Sequence, residues 1–407
     1  MQEIIETESE KPSVKESSPF YILVVILASL TAFAPLSIDM YLPSFPLIAS
    51  AFSVTEARVQ LSLAAFFVGL AAGQLLYGTV TDRFGRKIPL YVGLIIYSVA
   101  SIVCAFSPSI EALIVSRFFQ ALGACGGIVI ARATVRDLFD HRESARVFSL
   151  LMLVMGVAPI FAPLVGGYVA LFFGWRAIFL IVAVVGALCL WAVYARLPET
   201  KEPNPNVKLS NTLGIYLSIA KNREFLGFTL AGGFAQAGMF AYITGSPFVF
   251  IELFKIPAES FGWIFGANAL GLIGFSQLNG RLLRKYNPTE ILGVCLTLTA
   301  VFSLALIVAG VFNFGFWGTA VPLFLYVASL GMIFPNSTAG ALRTQTETAG
   351  AASALIGTMQ YSLAALSSFS VSYFSNGTTL PMTAIIGICG LSAFLILKLL
   401  ISRNKKD

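Results

Sequence analysis

Apolar residues in this chain gather into continuous runs of about 20, and polar residues are confined to the breaks between them. The stretch VGLIIYSVASIVCAFSPSIEALIV, residues 92–115, shows the pattern. Strands of a membrane barrel would instead alternate polar and apolar over about 10 residues. A hydrocarbon core of about 30 Å takes about 20 residues of helix, and backbone groups in lipid must pair within their own segment. The runs therefore predict membrane-spanning helices near 20–42, 58–80, 88–107, 110–131, 147–170 and 175–196. After the polar break LPETKEPNPNVKLSN, six more follow near 225–249, 259–281, 290–312, 317–339, 350–373 and 380–402. The predicted fold class is an all-α integral membrane protein of twelve spans in two six-helix bundles, 20–197 and 224–402. A cytoplasmic connection at 198–223 joins them, with a disordered tail at 1–19 and a short one at 403–407.

Composition agrees with this pattern: 57% of residues are hydrophobic and 11% charged, too few charges to cover a water-exposed surface. The net charge of +6 does not point to nucleic acid, because the basic residues sit in short loops between spans. Of the 26 Lys and Arg, the N-terminal tail, the even-numbered loops and the C-terminal tail hold 21. The opposite side holds only Arg58, Arg176 and Lys255. Positive loops stay inside, so both termini and the central connection are expected in the cytoplasm, in an inner membrane. The polar N-terminus lacks the basic start and small-residue cleavage site of a signal peptide, so the first span is expected to be retained. All five cysteines lie in apolar runs without CxxC pairing and read as small buried hydrophobes.

The halves echo each other. GTVTDRFGRK at 78–87 follows span 2 and GRLLRKYNPT at 280–289 follows span 8, both as short basic cytoplasmic loops. A parallel six-span repeat implies a pseudo-two-fold axis along the membrane normal, with the site between the halves near the midplane.

Five stretches carry a family resemblance. GQLLYGTVTDRFGRK resembles the loop 2–3 signature of the major facilitator superfamily, with Val80 the one departure. SRFFQALGACGG resembles its fourth-helix pattern, with Arg117, Gln120 and Gly123 in place. APLVGGYV resembles the fifth-helix motif of drug antiporters: Ala162 replaces the usual Gly, while Pro163, Gly166 and Gly167 match. SIDMYLPSFP and RATVRDLF are similar to the Bcr/CflA branch of multidrug exporters. The resemblance implies a major facilitator fold, a monomer, and helices 1 and 4 lining one cavity. It also implies a cytoplasmic gate of Gly78, Asp82, Arg83, Gly85, Arg86 and Lys87, in which Asp82 pairs with a basic residue at the end of helix 4, here Arg136.

The residues also have readings of their own. Gly78 suits a close helix crossing and Gly85 a left-handed turn. Arg83, Arg86 and Lys87 read equally as topology signals. Pro163, Gly166 and Gly167 read as a helix-packing element or, by resemblance, as a conformational element of exporters. Asp39, near the outer end of span 1, is the one well-embedded acid and so a functional candidate; the alternative is an interfacial helix end. Arg117, in span 4 at similar depth, is the embedded cation, able to pair with Asp39 or to brace helix ends. Gln120, Gln236, Asn268, Asn336 and Gln360 are cavity candidates or interhelical ties.

The Gly-Lys step of a phosphate-cradling loop is absent, and no clustered His or carboxylates suggest a metal or an enzyme. The expected function is export of small drug-like molecules in exchange for protons by alternating access. The alternative is a proton-coupled importer of a nutrient or metabolite. No metal, cofactor, nucleotide or nucleic acid is expected: the partners are a small molecule and the bilayer, and the proton gradient is the energy source.

Overall fold

The computed structural model describes residues 18–204, 209–345 and 348–401. The expected tail at 403–407, nearly all of that at 1–19, and residues 205–208 of the central connection lie outside this range.

The first half begins with α1 (Ser18–Asp39). A 3-10 turn at Leu42–Ser44 leads into α2 (Phe45–Phe52). Then come α3 (Glu56–Phe84), α4 (Lys87–Ala105), α5 (Ile110–Leu138), α6 (His141–Phe173) and α7 (Trp175–Arg196). The stretch predicted as a polar connection carries a helix of its own, α8 (Leu209–Ala220). The second half comprises α9 (Arg223–Ser246), α10 (Phe261–Leu282), α11 (Pro288–Phe312), α12 (Gly315–Leu342), α13 (Ala349–Tyr373) and α14 (Leu380–Ile396). Wider π turns extend α9 over Pro247–Leu253 and α14 over Leu397–Ile401.

Among the described residues, 11 helical spans are long and apolar enough to cross a membrane. The twelfth, α13, has the length at 25 residues but a more polar sequence, with Ser367, Ser368 and Ser372 buried. It tolerates these residues because they face its neighbours: Ser367 and Ser368 hydrogen-bond to Ala237 and Thr244 of α9, and Ser372 to Ala57 of α3. The helix ends follow ordinary rules. Asp140 with Glu143, and Asn287 with Glu290, form capping boxes that start α6 and α11. Gly85, at φ +78°, takes the left-handed turn between α3 and α4 that a side chain would strain.

Within the first half α3 packs on α5, α4 on α5 and α7, and α1 on α5 and α6; α9, α11, α12 and α14 form the matching core of the second half. Two seams join the halves, α3 against α13 and α6 against α10. At the outer end both are closed. The Ser372 hydroxyl donates to the Ala57 carbonyl across the first, and Gly167 lies against Ala258 and Glu259 across the second. Met152 and Ala170 lie five turns apart on one face of α6. Met152 is 52% exposed and Ala170 only 4%, so this face of α6 is covered near its outer end and uncovered near its other end.

Candidate functional site

Asp39 is the last residue of α1 and its side chain is 4% exposed. Among the described residues its carboxyl has no hydrogen-bond or ion-pair partner. Its electrostatic neighbour is the Tyr242 hydroxyl, on α9 of the other half. Asn268 Nδ2 donates to that hydroxyl at 3.0 Å, and the Tyr242 ring stacks on Phe265 of α10 at 5.2 Å. A carboxyl taken out of water without a partner carries a desolvation penalty that nothing local offsets.

Arg117 does not pair with Asp39. Its guanidinium, fully buried, lies 4.2 Å from the Phe66 ring centre, 4.6 Å from Tyr41 and 5.8 Å from Phe179. Nη1 donates to Gln120 Oε1 at 2.6 Å, while Nε and Nη2 have no acceptor. The reason lies in the turn that ends α1. Asp39 has the Tyr242 hydroxyl of the second half as its electrostatic neighbour, while Tyr41, just past the end of α1, lies over Arg117. From Gln120 a polar chain continues to Ser101 Oγ at 2.8 Å, and Ser101 donates to the Tyr97 carbonyl. The Tyr97 hydroxyl meets Ser37 of α1 at 2.8 Å. Ser37 and Asp39 are two residues apart, so α1 presents one to the polar chain within its half and the other to the seam.

The remaining cavity candidates separate. Asn268 belongs to the Asp39–Tyr242 group. Gln236 and Gln360 are half-buried on α9 and α13, and Gln360 lies against Gly233, a turn from Gln236. Asn336 is an interhelical tie: Nδ2 donates to Asn279 Oδ1 of α10 at 2.7 Å and to the Met332 carbonyl at 2.8 Å. Across the seam Phe67 meets Phe240 at 4.5 Å, and Phe240 packs on Tyr361, an aromatic wall below the polar groups.

The motif residues of α6 adjoin the same place. A Cβ on Gly166 would collide with the backbone of Met40, next to Asp39. One on Gly167 would stand 3.0 Å from the Ala258 carbonyl oxygen in the other half. Pro163 is buried on the same helix. The two glycines thus serve different contacts, one within a half and one between halves.

At the cytoplasmic end, Asp82 pairs with Lys201 Nζ at 2.7 Å and Arg86 Nη1 at 3.4 Å, not with Arg136. Arg136 is exposed; its neighbour Asp137, about 100° further round α5, faces inward and takes Arg86 Nε at 2.9 Å. Glu199 accepts the backbone N–H groups of Arg86 at 2.8 Å and Lys87 at 3.0 Å, capping the start of α4. Burial works to raise the Glu199 carboxyl, but backbone donors from Arg86, Lys87, Lys201 and Thr200 together hold it below the usual range. Arg83 lies over Phe84 and Lys87 over Tyr91. Gly78 lies close to Ala354 of α13 and to Tyr216 of α8, which sits beside Thr79. Glu199 and Lys201 escaped the sequence reading, although the charged stretch PETKE directly after span 6 was the available signal. Tyr242 left no signal: it is one of 13 tyrosines and sits in an apolar run.

The Major Facilitator Superfamily model matches residues 27–368. An uncharacterised transporter of that type from Bacillus subtilis is 37% identical over 89% of this chain and 91% of its own length. A bicyclomycin resistance protein homolog from Haemophilus influenzae is 32% identical over 95% and 98%. Multidrug resistance protein D of Escherichia coli is 29% identical over 83% and 85%. Among solved structures, a xylose transporter from E. coli in a partially occluded inward-open conformation superposes with a TM-score of 0.73 at 12% identity, covering 95% of this chain and 98% of that one. A bacterial homolog of the lysosomal transporter Spinster gives 0.71 at 16%, covering 95% and 99%.

Proposed function

The chain belongs to the major facilitator superfamily, a multi-pass family of membrane transporters, and we propose that it exports small drug-like molecules across the cytoplasmic membrane in exchange for protons. The observation that carries this reading is Asp39, a buried carboxyl without a partner, at the seam and facing the Tyr242 hydroxyl of the other half. A group so placed binds a proton in one arrangement of the halves and releases it in the other, because its surroundings change when the seam opens. Arg117 with Gln120 organises the polar chain behind it, and Phe67, Phe240 and Tyr361 supply an apolar wall for a greasy substrate.

Export is favoured over import by the bicyclomycin and multidrug resistance relatives. The xylose transporter shares the fold only. A proton moving down about 150 mV releases about 3.5 kcal/mol, at about 2.3 per 100 mV. Each 1.4 kcal/mol is tenfold, so one proton sustains a gradient of a few hundredfold. Both halves of the seam come from one chain, which favours a working monomer, and the excess of Lys and Arg in the even-numbered loops supports a cytoplasmic location for both termini.

The test uses proteoliposomes and the compounds named for relatives, bicyclomycin and chloramphenicol. The wild-type protein is expected to release protons on substrate addition and to move substrate uphill under an imposed pH gradient. Asp39→Asn should lose the proton signal and uphill export while keeping downhill exchange. An unchanged proton signal in Asp39→Asn removes Asp39 from the mechanism, and substrate movement with the proton rather than against it makes the chain an importer.

A further inference from the structure

The outer closure contains a second acid that the transport reading does not use. Glu56 opens α3 in the first half, and Glu252 lies in the π turn that extends α9 in the second. The two carboxyls are within hydrogen-bond reach of each other. Both Glu56 oxygens are shut off from solvent and accept no hydrogen bond, because the group in reach is another carboxylate, which as an anion has no proton to give. A turn deeper on α3, Gln60 is 2% exposed and its Oε1 is also without a donor. Gln60 lines a cavity of about 10 Å³, the size of a single water, together with Phe248 and Val249 of the turn that carries Glu252. Two buried carboxyl oxygens on Glu56 and, one turn further along α3, a buried amide oxygen on Gln60 are all acceptors without a donor.

The surrounding charges assign the roles. Lys255 Nζ lies 4.0 Å from Glu252 and is well exposed, a cation on the outer side of the pair. Arg58 is taken up by Glu111 at 2.9 Å. Of the other elements packed on α3, the outer ends of α2, α4 and α13 carry no charged side chain, that of α9 carries Glu252 itself with Lys255 following, and Glu259 lies beyond Gly167 on the other seam. Among the described residues nothing else in reach of Glu56 neutralises it.

We propose that Glu56 and Glu252 are a proton-held lock on the outer side: a proton from the outside, carried on Glu56 and donated to the Glu252 carboxylate, joins the halves. When that proton leaves Glu56 for external water, two like charges face each other across the seam and the halves part. The proton that closes the outer side is then drawn from the compartment with the higher proton activity, which ties outer closure to the gradient. This use in transport rests on the export reading; the lock itself does not.

The experiment needs neither substrate nor gradient. The full chain is placed in lipid nanodiscs with spin labels on cysteines at Ala51, outer end of the first half, and Phe314, outer end of the second; both sites are exposed and the five native cysteines are buried. Distances are measured by pulsed dipolar spectroscopy from pH 5 to pH 9. The wild type is expected to pass from closed to open as pH rises, with a slope of up to tenfold in the open-to-closed ratio per pH unit, as for one proton. Glu56→Gln, which carries its own N–H to Glu252, should stay closed throughout. Lys255→Gln should shift the midpoint to higher pH, because the two negative charges lose their nearby cation; this variant leaves the buried pair itself intact. A wild type with less than a twofold change over the range overturns the proposal, as does a Glu56→Gln protein that keeps the wild-type response. A lock that responds as stated in a protein that fails to export drugs would overturn the transport reading and leave the lock standing.

Discussion

Gly166 and Gly167 are neighbours on α6, yet adding one methyl group to each should have opposite consequences. At Gly166 the new Cβ would overlap the carbonyl oxygen, carbonyl carbon and Cα of Met40. Those are backbone atoms at the end of α1, with no rotamer to escape into, so α6 or α1 must shift as a body. Overpacking of this kind costs about 1–3 kcal/mol, and a backbone obstacle belongs at the upper end. Replacing Gly by Ala inside a helix returns about 0.5–1 kcal/mol. Gly166→Ala should therefore lose about 2 kcal/mol of fold stability. At Gly167 the Cβ would meet the Ala258 oxygen at 3.0 Å and the Glu259 Cα at 3.1 Å, both in the other half. That contact exists only while the outer side is closed. The cost, about 1 kcal/mol, then falls on the closed state alone, about a fivefold change in the closed-to-open ratio. The fold itself should be unchanged or slightly more stable. Thermal unfolding in detergent reads the first effect, and the Ala51–Phe314 label distance in nanodiscs reads the second. The reasoning fails if Gly167→Ala lowers the unfolding temperature as far as Gly166→Ala does and leaves the closed fraction where it was.

Three further outcomes follow from the contacts described. Asp82→Asn should weaken the cytoplasmic network and transport, a charge exchange of Asp82 and Lys201 should restore activity, and Arg136→Ala should matter little; since half-exposed pairs contribute about 0.2–1 kcal/mol, the readout is transport rate in proteoliposomes rather than stability. Arg117→Met should leave thermal stability within about 1 kcal/mol of wild type or above it, because a buried cation with two unpaired donors is replaced by an apolar chain of similar length, while transport is lost; a drop of several kcal/mol would make Arg117 a structural brace instead. Glu199→Gln should destabilise the start of α4 above about pH 4.5 and become indistinguishable from wild type in acid: the folded carboxyl is held below its ordinary value of 4.5, so its contribution is complete above that pH and disappears as pH falls through the lowered value, which unfolding temperatures between pH 3 and pH 7 will show.

The helical spans, their number and their two-fold repeat were legible in the sequence because lipid imposes the rule locally. Every 20 or so residues must be apolar and must satisfy their own backbone, whatever the rest of the chain does. Gly85 was legible for the same kind of reason, since a positive φ is a demand on one residue. Asp39 and Arg117 stood out because an embedded charge is rare wherever it points. What the local rules could not decide was direction. Asp82 finds Lys201 rather than Arg136 because one step along α5 turns a side chain by about 100°, and because the stretch after α7 folds back over the α3–α4 turn. Asp39 and Arg117 do not meet: α1 ends at Asp39, and the turn that follows lays Tyr41 over the Arg117 guanidinium. Glu56 and Glu252 are far apart in the sequence, one in each half, and only the packing of one half on the other brings them together. Burial and span length are properties of a segment, while the pairing of charges depends on how rigid helices are rotated against one another, which the packing of the whole molecule sets.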